Sequence, residues 1–249
     1  MKNISVLLFL LITLALNAQN NKTSGLNARQ FHKYWKVESE SPDYKVTFLG
    51  DTVEILSPKG LTLWRKEKMS GKVTIEYDAC VVVEVEGDRL SDLNCFWMAS
   101  DPQYPDNIWK REKWRSGIFL NCYSLQLYYM GYGGNHNSTT RFRRYDGNEA
   151  AITNAKARPA ILKEYTDADH LLEANKWYHI KITNENNRVS YYINGVRLVD
   201  FRDAAPLTEG WFGFRTTLSR TRIANFHYEC SPQEISEIPL HWIGNTCLL

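Results

Sequence analysis

Residues 71–87, GKVTIEYDACVVVEVEG, alternate with a period of two. Val73, Ile75, Tyr77, Ala79, Val81, Val83 and Val85 fall on one face, and Thr74, Glu76, Asp78, Cys80, Val82, Glu84 and Glu86 on the other. Successive side chains of a strand point to opposite faces, so this pattern predicts a half-buried strand with its odd-numbered face on the core. A second group follows, KWYHIKITNENNRVSYYINGVRLVDF. Its runs 178–183, 189–193 and 196–201 are rich in β-branched and aromatic residues, and Asn184 to Asn187 and the Asn194-Gly195 pair interrupt them. Asn-Gly tolerates the positive φ of a tight primed turn, so it predicts a hairpin. GWFGFRTT (210–217) and IANFHYE (223–229) predict two further strands. Residues 146–175 are polar and irregular, with Pro159 and many alanines, and predict a long excursion with some helix. Excursions of that length in compact domains are commonly functional.

Many strands with turn signals, no internal repeat and no shift of composition predict one all-β sandwich. The first residues stand apart from it. Lys2 is followed by an apolar run, Val6 to Leu16, and by Asn17-Ala18-Gln19, which offers a small-residue cleavage site after Ala18. The run is short for a membrane span, so residues 1–18 are expected to be a signal peptide, 19–30 a flexible lead, and 31–249 the folded domain. The mature protein is expected to be exported, periplasmic or secreted, with no membrane span and no lipid anchor. Export permits disulfides, but the five cysteines are odd in number and widely spaced. They predict mostly buried thiols with room for one bridge. The net charge is +2, or +1 without Lys2, which provides no global field for a polyanion and argues against nucleic acid as a partner.

The series W-Y-H-I-x-I…V-x-Y-Y-I-N-G-V…D-F…P-L…G-W-F-G-F-R, residues 177–215, resembles the closing meander of concanavalin A-like β-jelly rolls, sandwiches of two antiparallel sheets. Within that fold the chain looks like the YesU-like family associated with bacterial polysaccharide-utilisation clusters. FWMASDP (96–102), WRSG (114–117), SLQLYYMGYGGN (124–135), RFRRYDG (141–147) and GFRTT (213–217) carry the resemblance. It implies a carbohydrate-related role, with uronate-containing polymers as the substrate class.

The faces of two strands suggest where a site would lie. In SLQLYYMGY, Leu125, Leu127 and Tyr129 share a face that is expected to be core, which sends Gln126, Tyr128 and Met130 to the opposite surface. In GWFGFRTT, Phe212 and Phe214 are expected in the core, which sends Trp211, Arg215 and Thr217 the other way. Gly131, Gly133 and Gly134 permit backbone shapes that would let Tyr132, Asn135 and His136 close one end of a groove. Aromatic faces suit pyranose rings, and planar guanidinium forks suit hydroxyls and carboxylates. Arg115, Arg141, Arg143, Trp109, Trp114 and Trp211 join Gln126 and Asn135 as candidate ligand-binding residues. Arg143 points opposite to Arg144, so the basic run cannot serve one site in full. A second reading stands beside each: Arg141 and Arg143 as a charged strand edge, and Trp109 and Trp114 as loop anchors.

Elimination from a uronate needs one group to neutralise the carboxylate and another to remove the neighbouring proton. Arg215, with Asn135 and Gln126, suits the first task, and Tyr128, Tyr132 or His136 the second. An exported polysaccharide or oligosaccharide lyase is therefore the leading expectation. A non-catalytic carbohydrate-binding protein is the alternative. A glycoside hydrolase using separated carboxylates, Glu76 with Asp101 or Asp106, comes third, since the strand signature Glu-x-Asp-x-x-Glu breaks at Val81. No cofactor is required by this chemistry. A structural calcium is allowed for, with Asp101, Asp106 or Asp200 as ligands, although no EF-hand-like loop is present.

Overall fold

The computed structural model describes residues 24–232. The expected signal peptide and Cys247 lie outside the described residues. The strands are β1 (Trp35–Ser39), β2 (Lys45–Leu49), β3 (Thr52–Arg65), β4 (Met69–Ser70), β5 (Lys72–Val82), β6 (Leu93–Ser100) and β7 (Gln126–Gly133). They continue with β8 (Thr139–Asp146), β9 (Lys163–Tyr165), β10 (Tyr178–Glu185), β11 (Arg188–Ile193), β12 (Val196–Arg202) and β13 (Glu209–Ser231). They pair antiparallel in the order β12-β11-β10-β5-β13-β6-β7-β8-β9, with β3 also along β13 and with β1 and β2 on β3.

The fold is an all-β, concanavalin A-like sandwich. The C-terminal half of β13 pairs with β5 in the first layer, and its N-terminal part pairs with β6 in the second. β3 follows it through both, from Gly213↔Trp64 to Ile223↔Val53. The register shifts between Thr217 and Ser219, where Leu218 takes φ 50°. A bulge there bends the strand and lets one ladder turn from layer to layer. IANFHYE and GWFGFRTT are therefore two halves of one 23-residue strand rather than two strands.

Between the layers lies the main core, with Val73, Ile75, Tyr77, Ala79 and Val81 of β5 at most 3% exposed. The alternation ends earlier than expected: β5 stops at Val82, and Val85 is exposed. The hairpin forms where Asn-Gly predicts it, with Asn194 at φ 50° and Gly195 at φ 81° between β11 and β12. The excursion holds short helical turns and β9. From Ser24 onward the expected flexible lead is docked. Leu26 is fully buried, and the Ser24 carbonyl accepts from Trp35 Nε1 and Arg65 Nη1, both at 2.9 Å. Cys80, Cys95 and Cys122 are buried free thiols, so none of these three forms a bridge with another. Burial pushes the Cys95 thiol up to about 12 and Cys122 to about 11.

The second layer is also covered on its outer side. Trp64, Phe96, Leu125, Leu127, Tyr129 and Tyr145 form a separate apolar cluster there, packed with Ile108, Cys122 and Ala151 from the segments that follow β6 and β8. What those segments leave open is the pocket described next.

Candidate functional site

A pocket of about 440 Å³ opens on the outer face of the second layer. Its floor is a row of register partners running across the strands. Arg215 of β13 lies beside Asn94 of β6, Asn94 beside Gly131 of β7, and Gly131 beside Arg141 of β8. One step along the strands, Tyr129 lies beside Arg143. Residues on one row share a face, so these side chains converge. Gly131 is needed here: a Cβ at that position would stand 2.4 Å from the Tyr129 hydroxyl.

The rim comes from loops. Between β7 and β8, Asn135, His136 and Asn137 take φ of 51°, 59° and 57°, three successive left-handed residues. Asn137 holds this turn to the excursion, donating to the Leu172 carbonyl and accepting from its amide, each at 2.8 Å. His136 stands exposed at the rim. Phe119 and Tyr123 wall the opposite end with Arg158, and Glu40, Arg89 and Asp92 complete the lining.

The charges in this pocket do not balance. Five arginines, at 89, 141, 143, 158 and 215, face two carboxylates, Glu40 and Asp92. Arg89 pairs with Asp92 at 3.2 Å, and Arg141 pairs with Glu164. Arg143, Arg158 and Arg215 have no carboxylate within ion-pair distance among the described residues. Arg143 donates to the Pro159 carbonyl, and Arg158 lies over the Tyr123 ring at 5.8 Å. Arg215, 3% exposed, donates from Nη1 to the Gly117 carbonyl at 2.6 Å and to Thr62 Oγ1 at 3.3 Å.

Gly117 is fixed from the other side, where its amide donates to Glu38 Oε1 at 3.4 Å. Glu38 pairs in turn with Arg115 at 2.8 Å, both buried. Burial raises the Glu38 pKa, and the Arg115 guanidinium opposes that rise. Tyr129 is 8% exposed; burial holds its phenol above the usual tyrosine value, Asp92 adds to the rise and Arg215 opposes it. Two polar lining atoms, the Tyr145 hydroxyl and Asn94 Oδ1, are buried without a hydrogen-bond partner among the described residues.

The structure gathers Arg215, His136, Asn135, Arg141 and Arg143 in this pocket and sends the other candidates elsewhere. Tyr128 and Tyr132 project into the inter-layer core, 0% and 2% exposed. The Tyr128 hydroxyl donates to Asp203 Oδ2 at 2.6 Å, and that of Tyr132 donates to the Leu171 carbonyl at 3.1 Å. The face expectation for β7 is therefore reversed. The strand is buried on both sides, so its leucine face is not the inter-layer face. Arg115 is fully buried in its pair with Glu38, behind the pocket rather than in it. Trp211 is buried and donates to the Lys66 carbonyl at 3.2 Å. Trp109 packs edge-on against it at 6.2 Å, and Trp114 lies under Arg111 at 4.9 Å. Trp211 and Trp109 thus anchor loops, whereas Trp114 is 44% exposed, and all three lie outside the pocket. Gln126 sits half-buried at the start of β7, away from the pocket.

The carboxylates suggested for hydrolysis do not meet either. Glu76 lies on the first layer against Lys181, whereas Asp101 is buried against Arg111 beyond β6. The suggested calcium ligands are also dispersed. Asp101 serves Arg111, Asp200 serves Arg188 and Arg197, and Asp106 is exposed near Lys68. No group of three or more His, Cys, Asp or Glu side chains placed to hold a metal occurs among the described residues, and these three aspartates do not come together. No helix among the described residues is long and apolar enough to cross a membrane.

A family of domains of unknown function, DUF6250, matches residues 55–226. The chain belongs to that family. The match to this DUF6250 domain begins within β3 and ends within β13, so it takes in the whole pocket floor. No curated protein matches the chain in sequence. Among solved structures, a protein of unknown function with a galectin-like fold from Bacillus subtilis aligns with a TM-score of 0.67 at 14% identity, covering 86% of this chain and 97% of that one. The carbohydrate-binding module CBM66 from Bacillus subtilis aligns at 0.52 and 17%, covering 78% and 94%. The exoplasmic/lumenal domain of VIP36, in a Ca²⁺/Man-bound form, aligns at 0.58 and 8%, covering 87% and 92%. At these identities the likeness establishes the fold of the DUF6250 domain, and function rests on the pocket.

Proposed function

We propose that the pocket binds an acidic glycan, one whose sugars carry uronate carboxylates, and that the protein is an exported carbohydrate-binding protein. The observation that carries this reading is the set of three guanidinium groups, Arg143, Arg158 and Arg215, that converge on one pocket without carboxylate partners among the described residues. A planar guanidinium holds a carboxylate through paired hydrogen bonds, and such charge-assisted bonds are about twice as strong as neutral ones. Tyr123 and Tyr129 add ring edges and hydroxyls. Carbohydrate-binding neighbours of the same fold and the resemblance to the YesU-like family of polysaccharide-utilisation clusters support a sugar as the ligand.

One observation favours β-elimination as the second reading. Tyr129 and His136 share the pocket with Arg215, so a base and a carboxylate-neutralising group are both at hand. Burial holds the Tyr129 proton, however, so the phenol is a hydrogen-bond donor at neutral pH and the phenolate that would act as base is scarcely populated. Binding is therefore the stronger reading.

Calorimetry with uronate oligosaccharides and their neutral counterparts tests it, with the same mixtures followed by ultraviolet absorbance for the unsaturated uronate that elimination leaves. Uronate binding without a rise in absorbance is the expected result. Equal affinity for neutral sugars, or no binding, overturns the acidic-glycan reading. A rise that disappears in Tyr129→Phe moves the function to a lyase.

A further inference from the structure

We infer that the pocket takes the end of an acidic glycan chain rather than its middle; this rests on the acidic-glycan reading above. The argument follows the floor row, Thr62–Arg215–Asn94–Gly131–Arg141, from one side of the layer to the other.

On the β3 side the row is roofed. The Gly117 carbonyl sits on Arg215 at 2.6 Å. A Cβ at Gly60, the register neighbour of Thr217, would stand 2.4 Å from that same carbonyl and 3.1 Å from Glu40 Oε2. The Gly60 amide already donates to Glu40 Oε2 at 3.3 Å. Gly117 lies directly on the end of β1, where an added Cβ would meet the Glu40 amide nitrogen at 2.6 Å. Spaces that refuse one methyl group leave no passage for a sugar ring.

On the opposite side the row runs out to Arg141 and Glu164, whose side chains are 29% and 37% exposed, at the edge strand β9. No strand is paired beyond β9 among the described residues. Along the strand axis, Asp92 and His136 line the end by the β7–β8 turn, and Phe119 and Tyr123 line the end beside Tyr129 and Tyr145. The cleft is therefore blind at Arg215 and open at Arg141. A chain threaded through needs two exits, whereas a chain end needs one. The terminal residue would meet the buried Arg215 and the Glu40 carboxylate, which accepts hydroxyl hydrogens.

The test uses the wild-type protein and polygalacturonate, either intact or cut to chains about tenfold shorter, titrated at equal mass. Recognition of ends predicts half-saturation at a mass concentration lower by roughly tenfold for the cut sample. Half-saturation at the same mass for both samples overturns the chain-end inference and leaves acidic-glycan binding standing. If neither sample binds, and alginate cut in the same way also fails to bind, the acidic-glycan reading falls and this inference falls with it.

Discussion

The outer face of the first layer and the pocket of the second are both dense in charge, and they differ in how that charge is paired. On the first layer, Lys181 lies opposite Glu76 in the β10–β5 register and bonds it at 2.8 Å. His179 lies opposite Asp78 and meets it at 2.8 Å, and Arg222 of β13 bonds Glu54 of β3 at 2.8 Å. Cross-strand neighbours satisfy each other there, so that face is a solvated surface. In the pocket, Arg143, Arg158 and Arg215 meet carbonyls, hydroxyls and rings, with no carboxylate in ion-pair distance among the described residues. A net charge of +2 conceals this difference. Where the partners of a charged group lie says more about a ligand than how many charges a chain carries.

The largest expected effect comes from removing part of the uncompensated set. Arg143→Ala with Arg158→Ala should weaken uronate binding by about a hundredfold or more in calorimetry, since each charge-assisted hydrogen bond is worth about 1.5–3 kcal/mol. Lys181→Ala on the paired face should leave binding unchanged, and an equal loss there would dissolve the contrast between the two faces. Next in size, Glu38→Ala strands a buried Arg115 and should cost about 3–5 kcal/mol of stability by urea denaturation. Glu38→Gln, which retains hydrogen-bonding atoms, should cost less.

The two adjacent tyrosines of β7 separate fold from function. Tyr128→Phe removes the hydroxyl that Asp203 and the Leu207 amide use and should cost about 1–3 kcal/mol of stability without changing ligand affinity. Tyr129→Phe should do the reverse, with binding weakened and the melting temperature nearly unchanged. The smallest effect is a pH dependence on the paired face. The Lys181 ammonium holds the Glu76 carboxyl below its ordinary 4.5, so the folded state binds that proton less tightly than the unfolded chain. The resulting stability is present above 4.5 and is lost as the pH falls through the lowered value. Solvent screening limits it to about 1 kcal/mol or less, and Glu76→Gln should abolish that part of the acid dependence.

How much of this was legible in the sequence depended on the residue. Arg215 faces away from the inter-layer core, as expected, because Phe212 and Phe214 just before it lie on the buried face and the alternation of β13 continues through Arg215. The same logic failed on β7, where both faces are buried: Tyr128, Met130 and Tyr132 fill the inter-layer core, while Leu125, Leu127 and Tyr129 lie under the loops. Period-two alternation identifies a face only when one side is wet. Asn135 and His136 could be expected at the rim because neighbouring glycines marked a turn. Glu40, Arg89 and Arg158 were not found, since they reach the pocket from three separate loops and only the topology brings them together. Tyr123 and Tyr145 carried no periodic signal that separates pocket lining from core.

The long strand β13 has a consequence for the order in which the molecule can assemble. It begins at Glu209 and pairs with β3, β4, β5 and β6, whose residues span 52–100. Those earlier strands lack their shared neighbour until more than two hundred residues of chain have been made. Contacts so distant along the chain close slowly, because a large loop must be ordered before they form. Both layers depend on the same late segment, so they are completed together. A ribosome-bound fragment ending before Glu209 would hold neither a finished core nor Arg215, and the ligand pocket would come into being at the same step as the fold.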